Sequence, residues 1–232
     1  MSSAHRRRPH VPRIPPVEDP DTSLLMHTVP EPEIFLQQLF DTAVASADPG
    51  QCLAEHLPRL ASGGHTLVVG AGKGSAAMAA AVEQAWSTEL SGIVITPYGH
   101  GCACRHIEII EAAHPVPDEA GLKAAIRILE LAQTLKCGDQ MLCLLSGGGS
   151  ALLTLPTDGL SLHTKQEINR QLLKSGADIT QINCVRKHLS RIKGGRLAVA
   201  AWPATTISLM ISDVAGDDPA VIASGPTCAD PT

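Results

Sequence analysis

Leu142-Cys-Leu-Leu-Ser-Gly-Gly-Gly-Ser-Ala-Leu152 is the stretch whose reading decides the fold. An apolar run at 142–145 bounded by glycines predicts a strand buried on both faces, and Gly147 to Gly149 predict a turn into the next element. Ser146 and Ser150 flank that turn. Glycines let a backbone approach a ligand and present its N–H groups as a concave nest, and the two hydroxyls add donors. An ordinary tight turn at a strand end carries the same local signature. The neighbouring segments decide between them.

A comparable order occurs upstream. Thr66 to Val69 read as a buried strand that runs into Gly70-Ala-Gly-Lys-Gly-Ser75 and an alanine-rich helix, Ala76 to Trp86. Strand, glycine turn and helix are the order that sets a helix N-terminus against bound phosphate or carboxylate. Neither of two familiar loops is satisfied: a dinucleotide fingerprint needs glycine where Ser75 stands, and a P-loop needs it where Leu67 stands. What remains is Lys73 at a helix mouth, where a cation is electrostatically unfavourable and therefore points to use. Further strands are predicted near 93, 107 and 206, with helices over about 32–47, 53–60, 119–135 and 162–175. This alternation implies an α/β fold, a doubly wound, mostly parallel, Rossmann-like sheet with helices on both faces. Ligands in such sheets bind beyond the carboxyl ends of the strands. The turns at 70–75 and 146–150 and Asp213 all follow strands, so they converge on one edge.

The 232 residues are 44% hydrophobic, enough for a substantial core. Aromatics at 2% and a net charge of −5 argue against a nucleic-acid partner, and no apolar run approaches the ~20 residues that span a bilayer. Seven cysteines without a secretory signal are expected to be free thiols in a reducing compartment, the cytoplasm. Residues 1–32 are proline-rich and carry Arg6-Arg-Arg8, which predicts a disordered tail. A mitochondrial address is the alternative, but Glu18, Asp19 and Asp21 fit a transit helix poorly.

Several side chains are candidates for chemistry. Arg186, Lys187, Arg191, Lys193 and Arg196 form a basic cluster in an acidic chain, and on a continuous helix Arg186 and Lys193 share a face; such a cluster suits a polyanionic ligand or a solvated face. Asp213, Asp217 and Asp218 follow the last strand and are candidates for Mg²⁺, which prefers oxygen ligands, with helix capping the alternative for the latter two. His100, Cys102, Cys104 and His106 lie close in sequence but lack the spacing of a structural zinc site. His114-Pro-Val-Pro-Asp118 is a rigid loop in which Asp118 caps the next helix and His114 is a candidate substrate contact.

Taken together, Gly70-Ala-Gly-Lys-Gly-Ser, Thr96-Pro-Tyr-Gly-His, Ala113-His-Pro-Val-Pro-Asp-Glu-Ala-Gly, Leu145-Ser-Gly-Gly-Gly-Ser-Ala-Leu, Ser175-Gly-Ala-Asp-Ile, Asn183-Cys-Val-Arg-Lys-His-Leu-Ser-Arg-Ile-Lys-Gly-Gly-Arg-Leu-Ala and Ser212-Asp-Val-Ala-Gly-Asp-Asp resemble, in this order, the glycerate 2-kinase family of the MOFRL-domain class. Some members of that family carry the label hydroxypyruvate reductase. The resemblance implies ATP-dependent phosphorylation of D-glycerate to 2-phosphoglycerate with Mg²⁺. It assigns Lys73 to the transferring phosphoryl group and the turns containing Gly70, Gly72 and Ser146-Gly147-Gly148-Gly149-Ser150 to phosphate or carboxylate. Arg186, Lys187 and Arg196 would neutralise negative charge, and Asp213, with Asp217, would hold the metal or orient the attacking hydroxyl. Family members continue beyond Ser224-Gly-Pro-Thr into a second, C-terminal domain, absent here, with the active site in the cleft between the two. Residues 33–232 are therefore expected to be an incomplete N-terminal glycerate kinase domain, inclined to self-associate through the face its partner domain would cover. A catalytically silent binding or regulatory fragment and an NAD(P)-dependent hydroxypyruvate reductase are the alternatives.

Overall fold

The computed structural model describes residues 31–60, 63–86 and 90–231, so nearly all of the expected tail lies outside the described residues. The chain divides into two compact units, residues 1–43 and 44–232. Helix α1 (Pro32–Ser46) begins in the first. It has the expected spacing of Ile34, Leu36, Leu39 and Phe40, although none of its residues is buried.

In the second unit, where a helix is expected over 53–60, the chain forms only one turn of α-helix, α2 (Pro49–Cys52), and a 3-10 turn, Ala54–His56. Asp48 caps α2 through the Gly50 N–H with Pro49 in the first turn. Pro58 then stops any extension, because the residue before a proline is pushed out of the helical region.

Five parallel strands form one sheet: β1 (Thr66–Ala71), β2 (Ser91–Pro97), β3 (Ile107–Ala112), β4 (Gln140–Leu145) and β5 (Thr205–Met210), in the order β3-β2-β1-β4-β5. The two glycine-bounded runs read from the sequence are β1 and β4, which pair with each other at the centre of the sheet and are buried at every residue. Alternation along each strand divides the core in two. Leu67, Val69, Ala71, Met141, Cys143 and Leu145 face α4 (Glu119–Gln133) and α8 (Arg196–Ala201); Val68, Leu142 and Leu144 face α3 (Ser75–Ala85). That is the doubly wound arrangement, with helices on both faces.

The step from β2 to β3 has no helix. A parallel crossover usually needs one, yet residues 98–106 make the return as a loop across α3. Glu83 of α3 holds it: its buried carboxylate accepts the N–H groups of Arg105 (2.7 Å), His106 (2.8 Å) and Ile107 (2.8 Å). Burial pushes this carboxyl up, but the three donors outweigh burial and leave it below the usual carboxylate range.

Asp118 caps α4 as expected, accepting from Gly121 N. Between β4 and β5 the chain forms α5 (Gly149–Leu152), α6 (Leu162–Lys174), α7 (Ile179–His188) and α8. Gly176 follows α6 in the left-handed region, φ +76°, and α7 opens with a reciprocal Asp178–Gln181 capping box.

Candidate functional site

Strand order reverses between β1 and β4, and the loops that leave their carboxyl ends meet there. They meet by locking into each other. Lys73 N–H donates to Gly147 O (2.8 Å), Gly74 N–H to Ser146 Oγ (2.9 Å), Gly72 N–H to Ile95 O (3.0 Å) and Ser75 N–H to Gly72 O (3.3 Å). A Cβ on Gly72, whose φ is +150°, would sit 2.1 Å from Ser146 Oγ, and one on Gly70 would sit 2.3 Å from Leu144 O. Gly70 and Gly72 are therefore required for close backbone approach. The N–H groups of residues 72–75 are committed to protein acceptors, which corrects the expectation that this turn cradles a phosphate.

The second glycine turn is different. Gly148 adopts φ +84°, and among the described residues no acceptor pairs with the N–H groups of Gly147, Gly148 or Ser150. Two cavities flank this turn. One, of about 400 Å³, is lined by Ser146, Gly147, Ser150, Asn183, Arg186 and Asp213. Asp213 reaches it from the end of β5, so close to the turn that a Cβ on Gly147 would lie 2.3 Å from its Oδ2.

The other cavity is a more enclosed chamber of about 200 Å³. Lys165 enters its wall from α6, Arg186 from α7 and Lys193 from the turn after α7, joined by Thr154, Asn169 and His114. Lys165 and Lys193 are 3% and 1% exposed. Lys165 Nζ donates to Leu189 O (3.2 Å), Lys193 Nζ to Ser150 O (2.7 Å), and Arg186 Nε to Asn169 Oδ1 (3.3 Å). No carboxylate lines the chamber, and none of the three cations belongs to an ion pair among the described residues. Burial, and then the Arg186 charge, lower the Lys165 ammonium to about 8. Burial, Lys165 and Arg186 together hold Lys193 well below its ordinary value. Buried cations without counter-charge are costly to the folded chain, and they leave the chamber strongly favourable to an anion.

His114 closes one side of this chamber. A Cβ on Gly148 would lie 2.9 Å from its Nε2, and burial, then the charges of Lys73 and His100, lower its pKa, so it is neutral at physiological pH. The Lys73 side chain is exposed beside it.

The remaining predicted residues lie elsewhere. The helix carrying Arg186 ends at His188, so Lys193 reaches the chamber through the following turn and not by sharing a helical face. Lys187 pairs with Asp230 (3.5 Å). Arg196 donates to Lys187 O (3.0 Å) and Lys193 O (2.9 Å), which fixes that turn and leaves the guanidinium out of the chamber. Asp217, at φ +51°, lines a separate groove with Ser208, Met210 and Thr227. Among the described residues no group of three His, Cys, Asp or Glu side chains is placed to hold a metal ion. Cys102 donates its S–H to Ala76 O (3.1 Å), Cys104 packs on the α3 side of the core, and among the described residues no helix is long and apolar enough to cross a membrane.

Lys165 and Thr154 belong to the chamber without having been singled out from the sequence. Lys165 had a readable signal: it falls three residues after the buried Leu162 and four before Asn169, on what is otherwise the inward face of α6.

Comparison with known proteins agrees with this architecture. Residues 35–232 match the model of a family described as a domain of unknown function, DUF4147. The chain is 56% identical over 198 residues to a putative hydroxypyruvate reductase of Agrobacterium vitis, covering 85% of this chain and 45% of that protein. It is 43% identical to a D-glycerate 2-kinase of Thermotoga maritima, over 83% of this chain and 46% of that protein. The crystal structure of a Thermotoga maritima glycerate kinase superposes with a TM-score of 0.75 at 41% identity, covering 86% of this chain and 49% of that one. The chain thus spans about half the length of the relatives it matches. By the family match over residues 35–232 and these identities, the chain belongs to the DUF4147 family, alongside relatives named D-glycerate 2-kinase and glycerate kinase.

Proposed function

We propose that this chain forms the acid-binding part of an ATP-dependent kinase that phosphorylates D-glycerate to 2-phosphoglycerate. The observation that carries the reading is the chamber of Lys165, Arg186 and Lys193, three cations with no facing carboxylate, beside a glycine turn with unspent N–H groups. A small carboxylate supplies the missing charge. Relatives named D-glycerate 2-kinase support the choice of acid.

Phosphoryl transfer asks for positioning and charge neutralisation more than for covalent chemistry. In this reading the chamber cations hold the glycerate carboxylate, and Gly147, Gly148 and Ser150 offer N–H groups to the phosphate side. Lys73, exposed at the mouth, neutralises charge on the transferring group. Asp213 faces the same turn and orients the attacking hydroxyl; its carboxylate takes the hydroxyl proton as the new P–O bond forms and the bond from the transferring phosphorus to the ADP oxygen breaks, releasing ADP. Mg²⁺ fits only through Asp213, because Asp217 lies on another groove; one carboxylate with the nucleotide phosphates is an ordinary magnesium set. When bound, the ion would offset negative charge on the phosphates. Lys187 and Arg196 act at one remove, by fixing the turn that carries Lys193.

The reductase alternative loses its support at the β1 turn, where no N–H of residues 72–75 is left for a pyrophosphate. Cytoplasmic residence belongs to the proposal and rests on the seven free thiols. Self-association belongs to it as well, through the open edge of β5, where Ile207 and Leu209 are half-exposed.

Release of ADP by the chain with Mg-ATP and D-glycerate tests the reading. Glycerate-dependent turnover is expected from a complete site. Glycerate binding without turnover would identify a silent half, and neither binding nor turnover would contradict the proposal.

A further inference from the structure

Thr154 is 1% exposed, its hydroxyl has no hydrogen-bond partner among the described residues, and it lines the cationic chamber. It interrupts the apolar run Leu152-Leu-Thr-Leu155, in which the three leucines are buried. Valine has nearly the same shape and would fill this place without burying an unpaired hydroxyl, a state that costs free energy with no return inside the chain. Such a group in a native wall calls for a partner, and the chamber provides the place for one.

We infer that Thr154 is a specificity-determining residue that hydrogen-bonds the non-reacting hydroxyl of a short hydroxy acid whose carboxylate sits between Lys165, Arg186 and Lys193. The inference rests on the proposed glycerate reading. The chamber's ~200 Å³ holds several water-sized groups, which is room for a three-carbon acid. Lys165 spends one donor on Leu189 O and Lys193 spends donors on Ser150; an ammonium has three, so donors remain for carboxylate oxygens. The Thr154 hydroxyl, which both donates and accepts, is the buried neutral group left without a partner in this wall and suits an alcohol. If the 2-hydroxyl is the phosphoryl acceptor, the hydroxyl that Thr154 reads is the one on carbon 3.

D-Lactate is D-glycerate without that hydroxyl, and 3-hydroxypropionate lacks the other. The test is calorimetric titration of the chain, and of Thr154→Val and Thr154→Ser, with all three acids. The wild-type chain is expected to prefer D-glycerate to D-lactate by roughly tenfold or more. Thr154→Val should bring that ratio near one and leave the ratio to 3-hydroxypropionate unchanged, whereas Thr154→Ser should keep the preference. Thermal unfolding of Thr154→Val should be unchanged or higher, which separates lost recognition from lost folding. A preference that survives in Thr154→Val, or a wild-type chain that binds lactate as tightly as glycerate, would overturn the inference while the glycerate reading stands. A wild-type chain that binds none of the three acids would overturn both.

Discussion

Replacing Lys165 by methionine removes a buried charge that has no ion-pair partner among the described residues, so the ligand-free chain should become more stable, and under the proposed function its acid binding should disappear. An ammonium that titrates near 8 in the folded chain against an ordinary 10.5 opposes folding by about 3 kcal/mol at neutral pH. Its loss also leaves Leu189 O without the 3.2 Å donor, at about 1–2 kcal/mol. The variant should therefore gain about 1–2 kcal/mol. The pH dependence is sharper. Because the folded-state pKa lies below the unfolded one, the unfolded chain holds more protons between pH 8 and 10.5, and wild-type stability climbs through that window. Arg186, Lys193 and His114 line the same chamber, and Lys193, also held well below its ordinary value by burial, adds a climb of its own. Removing the Lys165 charge should take away its own share of the climb, up to about 1.4 kcal/mol per pH unit, and leave the share of Lys193. Urea unfolding of both proteins at pH 7, 8, 9 and 10, with reductant present, gives the comparison. A Lys165→Met chain less stable than wild type at pH 7, or one whose stability rises in parallel with wild type from pH 8 to 10, would refute the reasoning.

Other perturbations follow from the same geometry. Glu83→Gln should cost about 1–3 kcal/mol by denaturant unfolding, because an amide cannot accept all three N–H groups of residues 105–107; its effect should shrink in acid, since a carboxyl lowered in the folded state gives up its stabilisation as pH falls through its folded pKa. Gly72→Ala should lower the melting temperature sharply, since its Cβ would meet Ser146 Oγ at 2.1 Å and disengage the two loops. Lys73→Ala should leave stability within ~0.5 kcal/mol, because the side chain is exposed, while the equivalent change in a full-length relative should lower kcat roughly 10²-fold or more; unchanged kcat there would remove Lys73 from the chemistry.

The fold was legible wherever burial left a one-dimensional mark. β1 and β4 are unbroken apolar runs because both faces are covered, Asp118 is a cap read from a single side chain, and the strand, turn and helix rhythm fixes a doubly wound sheet. The candidate site was half legible as a place in the fold. The Ser146–Ser150 turn and Arg186 stand out locally, and the convergence of the β1 and β4 turns with Asp213 follows from all three leaving carboxyl ends of strands. Which of two glycine turns keeps its N–H groups free is decided by how the loops interlock, through contacts such as Lys73 N–H to Gly147 O that join residues far apart in sequence. Lys165 lies in the helix predicted over 162–175, where its spacing from the buried Leu162 was the one mark of an inward position. Thr154 gave no signal, since an unpaired hydroxyl is a property of the surrounding fold. Asp217 was misplaced because a left-handed turn at Gly216 and Asp217 separates its groove from the one that Asp213 faces.

The most direct test of the central claim, that the cationic chamber is the acid site, is a crystal structure of the chain soaked with D-glycerate. The account predicts the carboxylate within about 3 Å of Lys165 Nζ or Lys193 Nζ, with a hydroxyl against Thr154 Oγ1. Glycerate bound at the β1 turn instead, or a chamber filled by a protein side chain in the presence of bound glycerate elsewhere, would contradict it.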